Sequence, residues 1–149
     1  MKLSVFTHPY LDRTLDSTLD SLKETGIYAV ELGSGGYTPK GHCNPQLLLS
    51  DADALQRFLD AFGSRNMELA CISCHGNPLH PNRELANQHH DDLIASIDLA
   101  QRIGLDTVVT FSGCPGDNEN AVYPHWCIYP WPLENSEILK YQWEKKVIP

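Results

Sequence analysis

The sequence predicts an α/β fold of four consecutive βα units with parallel strands. Three observations carry the expectation: four apolar, strand-like runs alternate strictly with amphipathic helical stretches, the runs "AVEL" and "TVVTF" are mostly apolar on both faces, and every run ends in polar or glycine-containing sequence. Strict alternation calls for parallel strands joined by right-handed helical crossovers. Strands apolar on both faces suit a sheet covered by helices. The pattern by itself fits either an open doubly wound sheet or part of a (β/α)8 barrel.

The elements follow in order. "LSVFT" predicts a strand near 3–7, closed by His8-Pro9, and Leu15, Leu19 and Leu22 place one apolar stripe on the helix after it. Gly26 stops that helix, "IYAVEL" predicts the second strand near 27–32, and the Gly- and Pro-rich "GSGGYTPKGHCNP" reads as a loop. Ser50 with Asp53 resembles a capping box, and Leu55, Phe58, Leu59 and Phe62 give the next helix its stripe up to Gly63. The third strand is expected near 67–73. A helix carrying Leu93, Ile94, Ile97 and Ala100 ends at Gly104, and the fourth strand follows near 106–111. A Pro- and aromatic-rich loop runs to about Leu133, and the remainder reads as helical.

At 149 residues and 42% apolar composition the chain has the makings of one packed domain. Its net charge of −8, with no basic run, argues against nucleic acid and anionic lipid as partners. "LSVF" is too short for a signal-peptide core or a membrane span, so a cytoplasmic location is expected. Five cysteines, an odd number in a chain of this size, are expected to be mostly thiols. No strand is followed by a nucleotide-binding glycine pattern, and "GSGG" reads only as a flexible turn.

"CISCH", residues 71–75, has the spacing of a haem c attachment site but sits on a predicted strand, where Cys71 and Cys74 point to opposite faces. Zinc would need a second, correctly spaced ligand pair, which the sequence lacks. Cys71 is therefore expected to be a small buried apolar residue. His75 differs, because it falls where the strand becomes the "HGNP" loop. Beside it stand a glycine that lets backbone approach a ligand and Asn77, which can bond hydroxyls. His8 and His42 lie in comparable loops after the first and second strands, and Ser112 follows the fourth. Glu31, a carboxylate inside an apolar run, is expected to face the mouth of the sheet or meet a cation. His89, His90, Asp91 and Asp92 read as a solvated helix start. Trp126, Tyr129 and Trp131 could wall a sugar ring or pack their own loop, and the sequence leaves both open.

Taken together, "VELGSGG", "GHCNP", "CISCHGNPLHPN" and "GLDTVVTFSGCPG" resemble the N-terminal half of the xylose isomerase-like TIM barrels, the sugar phosphate isomerase and epimerase group related to type 2 AP endonucleases. The resemblance implies that the chain is the N-terminal half of a (β/α)8 barrel, since four units are half of eight and about 250 residues are typical of the whole. It implies a sugar or polyol substrate, carbohydrate metabolism, and metal-assisted proton transfer. In that family a divalent metal (Mn, Mg, Co or Zn) is held by Glu, Asp, His and Glu on strands five to eight. Those strands are not in this sequence, and "YQWEKKVIP" resembles the helix that precedes them. No catalytic or metal-binding residue is therefore expected in this chain alone. His75, Glu31, Ser112, His8, His42 and Asn77 are its expected substrate-binding residues. Such a half is expected to self-associate or to pair with its missing C-terminal half. An inosose dehydratase-like lyase or a non-catalytic assembly module are the alternative readings.

Overall fold

The computed structural model describes residues 3–129 and 131–149. They form two compact units, one comprising the chain up to Gly76 with Asp91–Thr110, the other Asn77–His90 with Phe111–Pro149.

The first unit holds the sheet. Its strands are β1 (Val5–Phe6), β2 (Ala29–Gly36), β3 (Glu68–His75) and β4 (Val108–Thr110). They are parallel and stand in sequence order. The connecting helices are α1 (Leu15–Glu24), α2 (Pro45–Ser50), α3 (Ala52–Gly63) and α4 (Arg83–Ile103). Strand alternation sends Val30, Leu32 and Ile72 into a core with Leu19, Leu22, Phe58, Phe62 and Leu99. Val30, Leu32, Ile72 and Leu99 are fully buried, which contributes about 1.5–3 kcal/mol for each such side chain.

The helix ends repeat one device. After α1, the Gly26 and Ile27 amides donate to the carbonyls of Lys23 and Leu22; after α4, those of Gly104 and Leu105 donate to Gln101 and Ala100. This is the Schellman closure, with a left-handed residue just past the helix. α3 ends at Gly63, where the sequence reading places its end, and the left-handed residue after it is Asn66, φ 52°. The start of α3 differs from expectation. Asp51 caps it, accepting from the Ala54 amide at 2.9 Å, while Ser50 closes a separate short helix by donating to the Gln46 carbonyl.

Two strands reach further than expected. β2 runs through "GSGG" to Gly36 and β3 to His75, paired Gly35 with Cys74 and Gly36 with His75 across a register shift. "GSGG" is therefore irregular strand, not a free turn. β1 and β4 are shorter than their apolar runs. α4 begins at Arg83, six residues before the expected start, so His89–Asp92 lie inside it. His90 and Asp91 are exposed, but His89 and Asp92 are buried, since residues 89, 92, 96 and 99 fall on one helical stripe.

The second unit contains the 77–82 loop, the long segment from Phe111, α5 (Glu134–Gln142) and a π-helical turn, Trp143–Val147. Buried Gln142 ties it together by donating to the carbonyls of His125 (2.7 Å) and Pro115 (3.1 Å). No helix among the described residues is long and apolar enough to cross a membrane.

Candidate functional site

The face of the sheet opposite the helical core is the candidate site. Register places Phe6 beside Glu31 and Glu31 beside Cys71, and alternation adds Ser73 and His75 to the same face. The Ser73 hydroxyl donates to Glu31 Oε1 in a short contact. Glu31 is thus half-buried with a neutral hydroxyl partner and, among the described residues, no ion-pair partner. Cys71 is half-buried and not the enclosed apolar residue expected. Burial, then the Glu31 carboxylate beside it, pushes its thiol up to about 11. It is a neutral thiol at pH 7 and a poor nucleophile. Phe6 organises the rim: the His8 ring stacks on it at 5.7 Å and the His75 ring meets it edge-on at 6.1 Å. The aromatic rings of Phe6, His8 and His75 thus share this face with the Ser73–Glu31 hydroxyl–carboxylate pair.

The loop above β2 is fixed from α4. Asp92 Oδ2 accepts from the Gly36 amide at 2.9 Å, and Oδ1 accepts from Lys40 Nζ at 2.5 Å and Gln46 Nε2 at 2.9 Å. Burial alone would push the Asp92 carboxyl up, but these donors outweigh it and hold the carboxyl below the usual carboxylate range. Below this latch, the Ser96 hydroxyl meets buried Ser34 at 2.9 Å.

The other expected site residues are placed differently. His42 is buried; Nε2 lies 3.0 Å from the Arg13 carbonyl and so donates, leaving Nδ1 to accept from the Thr7 hydroxyl at 3.0 Å. Both ring nitrogens are used within the protein. Asn77 is also engaged within the protein, its side chain bonding both the amide and the carbonyl of Cys114 at 2.8 Å and the Leu79 amide at 3.1 Å. Its own amide donates to His89 Nδ1. Ser112 belongs to the second unit, where it lines a cavity of about 220 Å³ with Cys114, Trp126, Cys127 and Trp143. Trp126, Tyr129 and Trp131 are all exposed. All five cysteines are free, and burial pushes Cys43 up to about 12.

Sequence reasoning missed Phe6, Ser73 and the Lys40–Asp92 latch. The signal for Asp92 was its spacing from Ser96 and Leu99, which marks the inward stripe of a helix. Among the described residues no three His, Cys, Asp or Glu side chains stand together as a metal would require. The two best oxygen donors, Glu31 and Asp92, already accept hydrogen bonds from Ser73 and Lys40.

No family model matches the chain. It is similar to a protein of Bacillus subtilis strain 168 named only as uncharacterized protein YfiH, with 34% identity over 151 residues. That match takes in all of this chain and 48% of the relative, so the chain spans about half the length of the curated relative it matches.

Proposed function

We propose that this chain is the N-terminal half of a (β/α)8 sugar or polyol isomerase or epimerase, in which it shapes the substrate pocket. The observation that carries the reading is the sheet face on which half-buried Glu31, held by the buried Ser73 hydroxyl, and His75 at the carboxyl end of β3 stand with Phe6 and His8. Glu31 and His75 bond substrate hydroxyls and the aromatic rings cover an apolar face of the substrate. Metal and proton-transferring base belong to strands five to eight in the family that the sequence resembles. A relative about twice as long supports a larger whole. Dehydration of an inositol-derived ketone fits the same face, because it too begins with proton abstraction beside a carbonyl. The net charge of −8 disfavours DNA.

In the complete barrel, His75→Ala is expected to lower kcat/KM by about 1–3 kcal/mol, the range for leaving a polar partner unpaired, with little change in melting temperature. Cys71→Ser should leave both nearly unchanged, because Glu31 is at hand to accept from the new hydroxyl. Steady-state kinetics and thermal melts on both variants are the test. Full activity in His75→Ala would overturn the placement of the substrate. For the chain by itself, sedimentation at micromolar concentration is expected to show self-association, because β1 and β4 are the edge strands of the sheet and sheet edges tend to recruit another chain. Turnover by that chain with manganese would contradict the division of labour, whereas association without turnover in any completed form would favour an assembly module.

A further inference from the structure

We propose that Cys114 and Cys127 form an oxidisable dithiol site, which a peroxide converts into an internal disulfide that staples the loop following β4. Both cysteines line one cavity of about 220 Å³ in the second unit, together with Trp126, Ile128, Leu139 and Trp143. Neither lies in a helix or strand. The Cys114 thiol donates to the His125 carbonyl at 3.2 Å, so its sulfur sits against the chain two residues before Cys127. His125 is itself fixed there, because its carbonyl also accepts from buried Gln142 at 2.7 Å and its amide donates to the Pro115 carbonyl at 3.0 Å. These bonds hold the segment that carries Cys127 beside Cys114.

The two thiols have different roles. Cys114 is buried and its backbone is clamped by Asn77, whose side chain bonds its amide and its carbonyl at 2.8 Å each. Cys127 is half-buried on residues 124–129, which lie outside helix and strand, so it is the thiol that peroxide reaches first. Its sulfur attacks the O–O bond, taking one oxygen as a sulfenic acid while the other leaves as water. The Cys114 sulfur then attacks the sulfenic sulfur, gives up its proton and releases the second water. Two thiols are thereby oxidised by two electrons in all, and one peroxide is reduced to two waters. Burial pushes the Cys114 thiol up and charge on Cys127 pushes it further, while burial and the Asp117 carboxylate push Cys127 up. Both are neutral thiols at rest, so the site answers to sustained peroxide and not to a trace of it. Cys71 and Cys74 make no such pair, because they point to opposite faces of β3. The site stands whether or not the sheet face isomerises a sugar.

Incubating the full chain with excess hydrogen peroxide, alkylating it after denaturation, and then weighing it intact and mapping it without reduction tests the site. The expected product is a monomer lighter by two hydrogens, with three alkylated cysteines instead of the five of the untreated chain and a peptide pair joining Cys114 to Cys127. Dithiothreitol should restore all five. Cys127→Ser should abolish the bridge, and Cys71→Ser should leave it intact. Because the bridge closes a loop of about 14 residues and so restricts the unfolded chain, the oxidised protein should melt a few degrees above the reduced one. Sulfinic acid on Cys127 beside an unmodified Cys114 would overturn the proposal, as would a dimer linked through Cys127. A bridge that lowered the melting temperature or left it unmoved would overturn it equally, since the cross-link would then form only in a distorted chain.

Discussion

Replacing Asp92 by alanine is expected to destabilise the first unit by about 2–4 kcal/mol, somewhat less than the about 3–5 kcal/mol for breaking a fully buried ion pair because Lys40 stays 29% exposed. The carboxylate side chain is only 4% exposed and satisfies three donors at once: the Lys40 ammonium, the Gln46 amide and the Gly36 backbone. Removing it takes the acceptor from the Gly36 amide and the Gln46 amide, whereas Lys40 keeps the Gln46 carbonyl oxygen at 3.2 Å and its access to water. Because the folded carboxyl titrates below its unfolded value of about 3.9, its contribution is present above that pH and lost as pH falls through the folded value. Urea melts of wild type and Asp92→Asn between about pH 3 and about pH 7 should therefore converge at the acid end. A constant difference across that range would show that the charge on Asp92 does not act through this latch.

The contrast between Asp92 and Glu31 explains how much of the molecule was legible in the sequence. Strand–helix alternation located every strand of the sheet, because burial of Val30, Leu32 and Ile72 under amphipathic helices is a periodic property and periodicity is local. Glu31 could be singled out for the same reason: a carboxylate breaks an apolar run. Asp92 could not be read in the same way. It stands in a run of polar residues, and its burial depends on Lys40 and Gln46, 52 and 46 residues away in sequence. His42 and Asn77 illustrate the reverse. Both lie in loops with ligand-binding composition, yet their hydrogen-bonding capacity is taken up by Thr7, Arg13 and Cys114. Loop composition shows that polar capacity exists, and only the fold decides whether protein or ligand uses it.

The same long-range fit makes Gly36 the second site of large effect. Gly36→Ala is expected to cost about 2–5 kcal/mol, combining the left-handed backbone penalty with a steric overlap that the neighbours cannot absorb cheaply. Its φ is +71°, and a Cβ there would sit 2.5 Å from the backbone of His75 and Gly76. Backbone cannot rotate away as a side chain would. Gly63→Ala supplies the control, since nothing lies within 4 Å of its Cβ position, and helix propensity predicts a change near zero or a gain of up to about 1 kcal/mol. Two identical substitutions should thus move the urea midpoint in different directions, and equal shifts would refute the packing of β2 on β3. Displacing Gly36 also pulls its amide from Asp92, so the two losses share one hydrogen bond. The double variant Gly36→Ala with Asp92→Ala should be less destabilised than the sum of the singles, by about 0.5–3 kcal/mol as for residues in direct contact. Strict additivity would mean that Asp92 and the glycine turn are independent, and that α4 does not hold the strand end from which His75 is presented.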